Sequence, residues 1–181
     1  MTSPSSRPPH LLATKLCIPP ARAQLVARPR LIKRLEAGLR GPLTLIAAPA
    51  GFGKTTLLSA WRTTAAGSSL PFGWVALDPG DNDPALFWSY FLAVLDMAAA
   101  DVGSPALAML QSTQPPAIEY VLTTLLNAFM ARSAEDPGRP AALVLEDYHV
   151  ITTPAIHSAL AWLLERLARR CRSRACAPGE I

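Results

Sequence analysis

The sequence is poor in everything that would mark a metal centre, a disulfide-stapled scaffold or a membrane protein. Its three cysteines, Cys17, Cys171 and Cys176, are an odd set without metal-ligand spacing or paired histidines, which argues against zinc and against a disulfide framework. No apolar run approaches the roughly 20 residues that a membrane span requires. The amino-terminal stretch MTSPSSRPPHLLATKLCIPPARA places Ser and Pro first and a Lys inside its only apolar patch, so no export signal is read and a reducing cytoplasm is the expected compartment. Aromatic residues are 7% and charged residues 17% of the chain, against 50% hydrophobic. That is globular composition, and 181 residues give room for one domain with a solid core but not for separate sensing and DNA-binding modules.

Charge is unevenly spread. Residues 1–40 carry a net +7, residues 41–168 a net −6 and residues 169–181 a net +3. The basic residues of the amino-terminal arm alternate with Pro and Leu rather than with base-stacking aromatics, which points to a solvated surface and not to nucleic-acid binding.

Residues 1–28 read as an extended, proline-punctuated lead-in. Pro29 then opens a helix with Leu31, Leu35 and Leu39 on one face, closed near Gly38 or Gly41. Leu43 to Ala48, LTLIAA, is a short apolar run of the kind that fits a buried parallel strand, followed by a glycine loop and the helix-prone TTLLSAWRTTAA. A second strand is expected at Gly73–Asp78. The turn DPGDNDP then supplies Asp83 as N-cap and Pro84 as first residue of a helix reaching about Ala99. Residues 104–114 are ambiguous. A helix from Pro115 and Pro116 to about Arg132 precedes a third strand at residues 141–147, and Thr153 with Pro154 starts a last helix with Ile156, Leu160, Leu163, Leu164 and Leu167 on one stripe. Strands alternating with helices predict an α/β fold, a mostly parallel sheet covered on both faces, with ligands at the carboxyl ends of its strands.

Two motifs fall at those ends. Ala48-Pro49-Ala50-Gly51-Phe52-Gly53-Lys54-Thr55 matches a P-loop, with Ala where the first Gly is usual. Glycines at 51 and 53 let successive N–H groups turn toward phosphate oxygens, and the following helix adds its positive end. Lys54 is expected to reach the β- and γ-phosphates, Thr55 to offer a hydroxyl to Mg2+, and Thr56 to bind on the α-phosphate side. The second motif is Glu146-Asp147 after the apolar strand, as in a Walker B element: Glu146 is the expected Mg2+ ligand, direct or through water, and Asp147 the group that orients or deprotonates the attacking water, with the reverse division of roles between the two acids left open. ATP or ADP with Mg2+ is the cofactor read from these residues, because no Asn-Lys-x-Asp segment is present to select guanine.

Other candidates are weaker. The acidic turn Asp78-Pro79-Gly80-Asp81-Asn82-Asp83 lacks the alternate ligands of a calcium loop and reads as turn and helix cap. His10, His149 and His157 are isolated and read as structural, and Trp61, Trp74, Trp88 and Trp162 as core.

Taken together, LLATKLCIPPARAQLVARPRLIKRL, TLIAAPAGFGKTTLLSAW, WVALDPGDNDPALFWSYFLAVL and LVLEDYHVITTPAIHSALAWLLERL resemble, in that order, the nucleotide-binding domain of the MalT-like, large LuxR-family transcriptional regulators, over about residues 10–167. The resemblance implies a P-loop NTPase of three-layer α/β/α architecture, of the STAND and AAA type, in which ATP in place of ADP turns an inactive monomer into an assembling activator. It places Arg28, with Pro29 and Arg30, where the family closes over adenine and ribose. Glu146 stands where the family's usual Asp would be, one methylene longer, which implies weak or absent hydrolysis. It further implies a strand after Leu167, lying between the P-loop strand and the Walker B strand. The sequence ARRCRSRACAPGEI has no strand pattern. The expected organisation is therefore an extended basic lead-in at 1–28, a partial P-loop NTPase domain at 29–167 with its sheet incomplete at the carboxyl-terminal end, and an irregular Arg/Cys-rich tail at 168–181. Such a chain is expected to be marginally stable, to lack a DNA-binding module and to associate, if at all, with itself or a full-length relative. Two rivals stand beside this reading: a free-standing P-loop phosphotransferase, and a non-enzymatic fragment that is inert or interferes with a relative.

Overall fold

A computed structural model describes residues 11–20, 26–39, 41, 43–135 and 141–175. In chain order the helices and strands are α1 (Pro29–Gly38), α2 (Lys54–Arg62), α3 (Ala65–Ser69), β1 (Phe72–Ala76), α4 (Pro84–Ala98), α5 (Ser104–Leu110), α6 (Ile118–Glu135), β2 (Ala142–Glu146) and α7 (Pro154–Ala175). Short 3-10 turns lie at Ala13–Leu16, Pro79–Asn82 and Tyr148–Val150. The described residues group into two compact units, 11–17 with 71–159 and 18–70 with 160–175. The P-loop lies in the second of these and the strand that ends in Glu146 in the first.

The strand-bearing unit is organised by β1, whose Trp74 and Val75 are buried. β1 pairs in parallel with β2, Trp74 opposite Val144. Such a pair needs a crossover, which α4 to α6 provide. α4 is apolar on nearly all sides, with Phe87, Trp88, Tyr90, Phe91, Leu92, Val94 and Leu95 buried, as expected of a helix sunk in the core. Gly73 lets it come close: a Cβ there would meet the Val94 carbonyl at 3.0 Å and Leu143 Cδ1 at 3.1 Å. Asp83 starts α4 as anticipated, its Oδ1 accepting from the Leu86 amide at 2.8 Å. The ambiguous stretch 104–114 contains α5, whose first amides are satisfied from α4: Asp96 Oδ1 accepts from Gly103 and Ser104 at 3.0 and 2.9 Å.

In the P-loop unit, α1 packs on α2 and α2 on α3, with Leu35, Leu57 and Trp61 buried. The helix read through TTLLSAWRTTAA is in fact two. Thr63 closes α2, and Thr64 in extended conformation caps α3, its Oγ1 accepting from Gly67 N at 3.1 Å. Consecutive β-branched residues, one of them a good N-cap, make the break.

Four further expectations are corrected. Residues 43–48 form no strand and are mostly exposed. A parallel strand exists only through a neighbour's ladder, and the sheet of the described residues has two strands, β1 and β2. The tail at 168–181 is not irregular throughout, because α7 continues to Ala175. Arg and Ala are strong helix formers and no Pro or Gly interrupts them there; residues 176–181 lie outside the described residues. Trp162 is only half-buried, stacked 3.6 Å from the Arg166 guanidinium carbon.

Finally, the lead-in is not simply a solvated basic arm. The 3-10 turn Ala13–Leu16 packs on β1, the Leu12 amide donates to the Tyr90 hydroxyl at 3.0 Å, and Lys15 forms ion pairs of 2.7 Å with both Asp78 and Asp81. A cation with apolar neighbours was drawn in by two acids that the turn at 78–83 holds together.

Candidate functional site

The P-loop is built by two glycines in the left-handed region. Gly51 has φ +81° and Gly53 φ +79°, values that an L side chain adopts only with strain. A Cβ on Gly51 would meet nothing within 4 Å, so the backbone angle and not crowding requires glycine there. The intervening turn is tied by the Phe52 amide donating to the Pro49 carbonyl at 3.4 Å. Gly53 is the N-cap of α2 and supplies no side-chain cap, and the first-turn amides of a helix point out from its start. They sit where the helix dipole favours an anion.

Lys54 folds back along the loop, its Nζ donating to the carbonyls of Ala48 at 2.8 Å and Pro49 at 3.3 Å. These are neutral acceptors, and a phosphate oxygen is a stronger, charge-assisted one. Arg28 comes to the same loop: its Nη1 donates to the Phe52 carbonyl at 3.0 Å, and both Nη atoms would lie 3.8 Å from a Cβ on Gly53. The structure therefore gathers Arg28, Pro49, Ala50, Gly51, Phe52, Gly53, Lys54, Thr55 and Thr56 in one unit. Phe52 is 63% exposed, an aromatic face at the loop's surface.

Glu146 and Asp147 belong to the other unit, at the carboxyl end of β2. Glu146 is half-buried, and its carbonyl accepts from Leu77 N at 3.1 Å, extending the ladder past β1. Asp147 is exposed and left-handed, φ 55° and ψ 32°, a conformation that Asp tolerates better than most residues. It turns the chain sharply out of the strand, leaving its Oδ1 3.7 Å from His149 Nδ1. Behind it, the Tyr148 hydroxyl lies 2.6 Å from His157 Nδ1, and burial raises the Tyr148 phenol above its ordinary value. His157 thus has a structural partner; His10 lies outside the described residues.

The loop after β2 is held by a residue that the sequence reading passed over. Asn82 Oδ1 accepts from the amides of Thr152 at 2.7 Å and Thr153 at 3.1 Å, and its Nδ2 donates to the Val150 carbonyl at 2.9 Å. Thr153 Oγ1 donates to the Asn82 carbonyl at 2.7 Å. One side chain at the end of β1 therefore fixes the path of the chain beyond β2. The signal available was an Asn inside a turn of aspartates, the one member able both to donate and to accept. Among the described residues no group of three or more His, Cys, Asp or Glu could hold a metal ion. Thr55 and Glu146 are nonetheless hard oxygen donors, the kind that Mg2+ takes in ones and twos while keeping its waters.

Comparison with known proteins finds relatives along most of the chain. The chain is 38% identical over 154 residues to the HTH-type transcriptional regulator MalT of Klebsiella pneumoniae subsp. pneumoniae, and equally to that of Cronobacter sakazakii. The chain is MalT-like. The match takes in 85% of the chain and 16% of the length of each of those regulators. No protein-family model matches it. The MalT-like sequence carries its α/β fold in incomplete form, and no helix among the described residues is long and apolar enough to cross a membrane.

Proposed function

We propose that this chain is the ATP-binding part of a MalT-like, LuxR-family transcriptional regulator, a nucleotide-dependent switch with weak or lost hydrolysis. The observation that carries the reading is the loop at 48–56: two glycines at positive φ, an uncapped helix start and a lysine on one short turn. Backbone amides of that turn would hold the phosphates, with Lys54 adding charge to the β- and γ-oxygens. Mg2+, held by Thr55 and Glu146, would neutralise phosphate charge. Arg28, already bonded to the loop, would close over the nucleoside side. Asp147 would orient a water, and the extra methylene of Glu146 beside it accounts for slow turnover. Binding in the cytoplasm, switching between ADP and ATP states, and association with a second copy or a full-length relative complete the proposal. Calorimetry with Mg-ATP on the parent and on Lys54→Ala tests it: binding by the parent and none by the variant is expected, and equal affinity of the two overturns the site.

A further inference from the structure

Asp147 is one of two non-glycine residues with a positive φ among the described residues. Its carboxylate is the group proposed to orient water, so whatever holds this uncommon backbone angle decides where that carboxylate stands. One short segment after β1 holds it from both sides. Upstream, the Glu146 carbonyl accepts from the Leu77 amide at 3.1 Å. Downstream, the Asp147 carbonyl accepts from the Val150 amide at 3.0 Å, and the Val150 carbonyl in turn accepts from Asn82 Nδ2 at 2.9 Å. Asn82 has a firm base. Its Nδ2 also donates to the Pro79 carbonyl at 3.1 Å, and the preceding Asp81, fully buried, accepts from the Asp78 amide at 2.8 Å and from Lys15 Nζ at 2.7 Å.

On the ATP-binding reading, on which this rests, we propose that Asn82 is a positioning residue for Asp147 and acts on it through Val150. The grip needs a carboxamide. Oδ1 accepts from the amides of Thr152 and Thr153 while Nδ2 holds the Val150 carbonyl; an aspartate could do only the first of these. Once the Val150 carbonyl is released, the turn at Asp147 loses its downstream anchor, and a non-glycine residue relaxes from the left-handed region toward negative φ, carrying its carboxylate with it.

The test is calorimetry of ATP binding to the full chain, in Mg2+ and in EDTA, for the parent, Asn82→Ala, Asn82→Asp, Asp147→Asn and the double variant Asn82→Ala/Asp147→Asn. Mg2+ should tighten ATP binding by the parent. Both Asn82 variants should keep the affinity measured in EDTA and lose about tenfold or more of the tightening by Mg2+, the scale on which partners behind a metal site act. Asn82→Ala should cost nothing further in the Asp147→Asn background, because a residue that acts through Asp147 has nothing left to position. Full tightening by Mg2+ in either Asn82 variant, an equal weakening in EDTA, or an undiminished effect on Asp147→Asn overturns the proposal, as does a parent that binds ATP without any help from Mg2+. A parent that binds no ATP in either buffer refutes the nucleotide reading itself, and this role with it. Hydrogen exchange on the unmodified chain gives a measure that no misfolded variant can spoil: Mg2+ with ATP should slow exchange at Thr152 and Thr153 more than ATP in EDTA does, and equal rates overturn the link.

Discussion

Replacing Lys15 by Met should destabilise the strand-bearing unit out of proportion to the residue's place in a short 3-10 turn. The Asp81 side chain is fully buried and that of Lys15 is 13% exposed, with Nζ 2.7 to 2.8 Å from both carboxylate oxygens. Without the ammonium, Asp81 keeps the Asp78 amide at 2.8 Å and little else to offset its burial. Breaking a buried pair on one side costs about 3–5 kcal/mol. The surviving amide bond and the nearby surface reduce this to about 2–3 kcal/mol, a large share of the 5–15 kcal/mol typical of a domain. Asp78, 53% exposed, adds little because solvent screens it. Urea unfolding followed by tryptophan fluorescence, with Trp74 and Trp88 each 1% exposed, should show a lower midpoint at unchanged slope. Lys15→Met combined with Asp81→Asn should recover part of the loss, since the orphaned charge is then gone. The pH dependence follows from the same contacts. Hydrogen bonding from Lys15 is the main cause that lowers the Asp78 carboxyl below its ordinary 3.8; its contribution is complete above that value and is lost as pH falls through the lowered one. Burial pulls the Lys15 ammonium down, but its bonds to Asp78 and Asp81 outweigh this and raise it above 10.5, so its contribution holds below that value and is lost as pH rises through the raised one. Lys15→Met should therefore flatten the acid limb of the stability curve. A loss under about 0.5 kcal/mol, ordinary for a surface change, would refute the reasoning.

Asn82→Ala should cost about 1–2 kcal/mol, because exposed and part-buried backbone groups beyond β2 lose three hydrogen bonds to one side chain; hydrogen exchange should quicken at Thr152 and Thr153 before it does in β1, and unchanged protection there would count against the role given to Asn82. Glu146→Asp shortens the proposed Mg2+ ligand by one methylene and should raise steady-state ATP hydrolysis without weakening ATP binding; a turnover no higher than the parent's removes the carboxylate length as the cause of slow hydrolysis.

What could be read from the residues, and what could not, divides on range. Asp83 and Pro84 start α4, Pro29 starts α1 and Gly53 precedes α2 because capping and backbone angle are settled within a few residues. The candidate loop was legible for the same reason, its glycines and lysine being contiguous. Partnerships across the chain were not. Lys15 meets Asp81 across 66 positions and Asn82 meets Thr153 across 71, and no period or spacing announces either. Residues 43–48 are the sharpest case. Their composition is that of a strand, but the hydrogen bonds that make a strand belong to two segments at once. β1 and β2 found each other because α4 to α6 return the chain to the same place, and no local composition announces such a return.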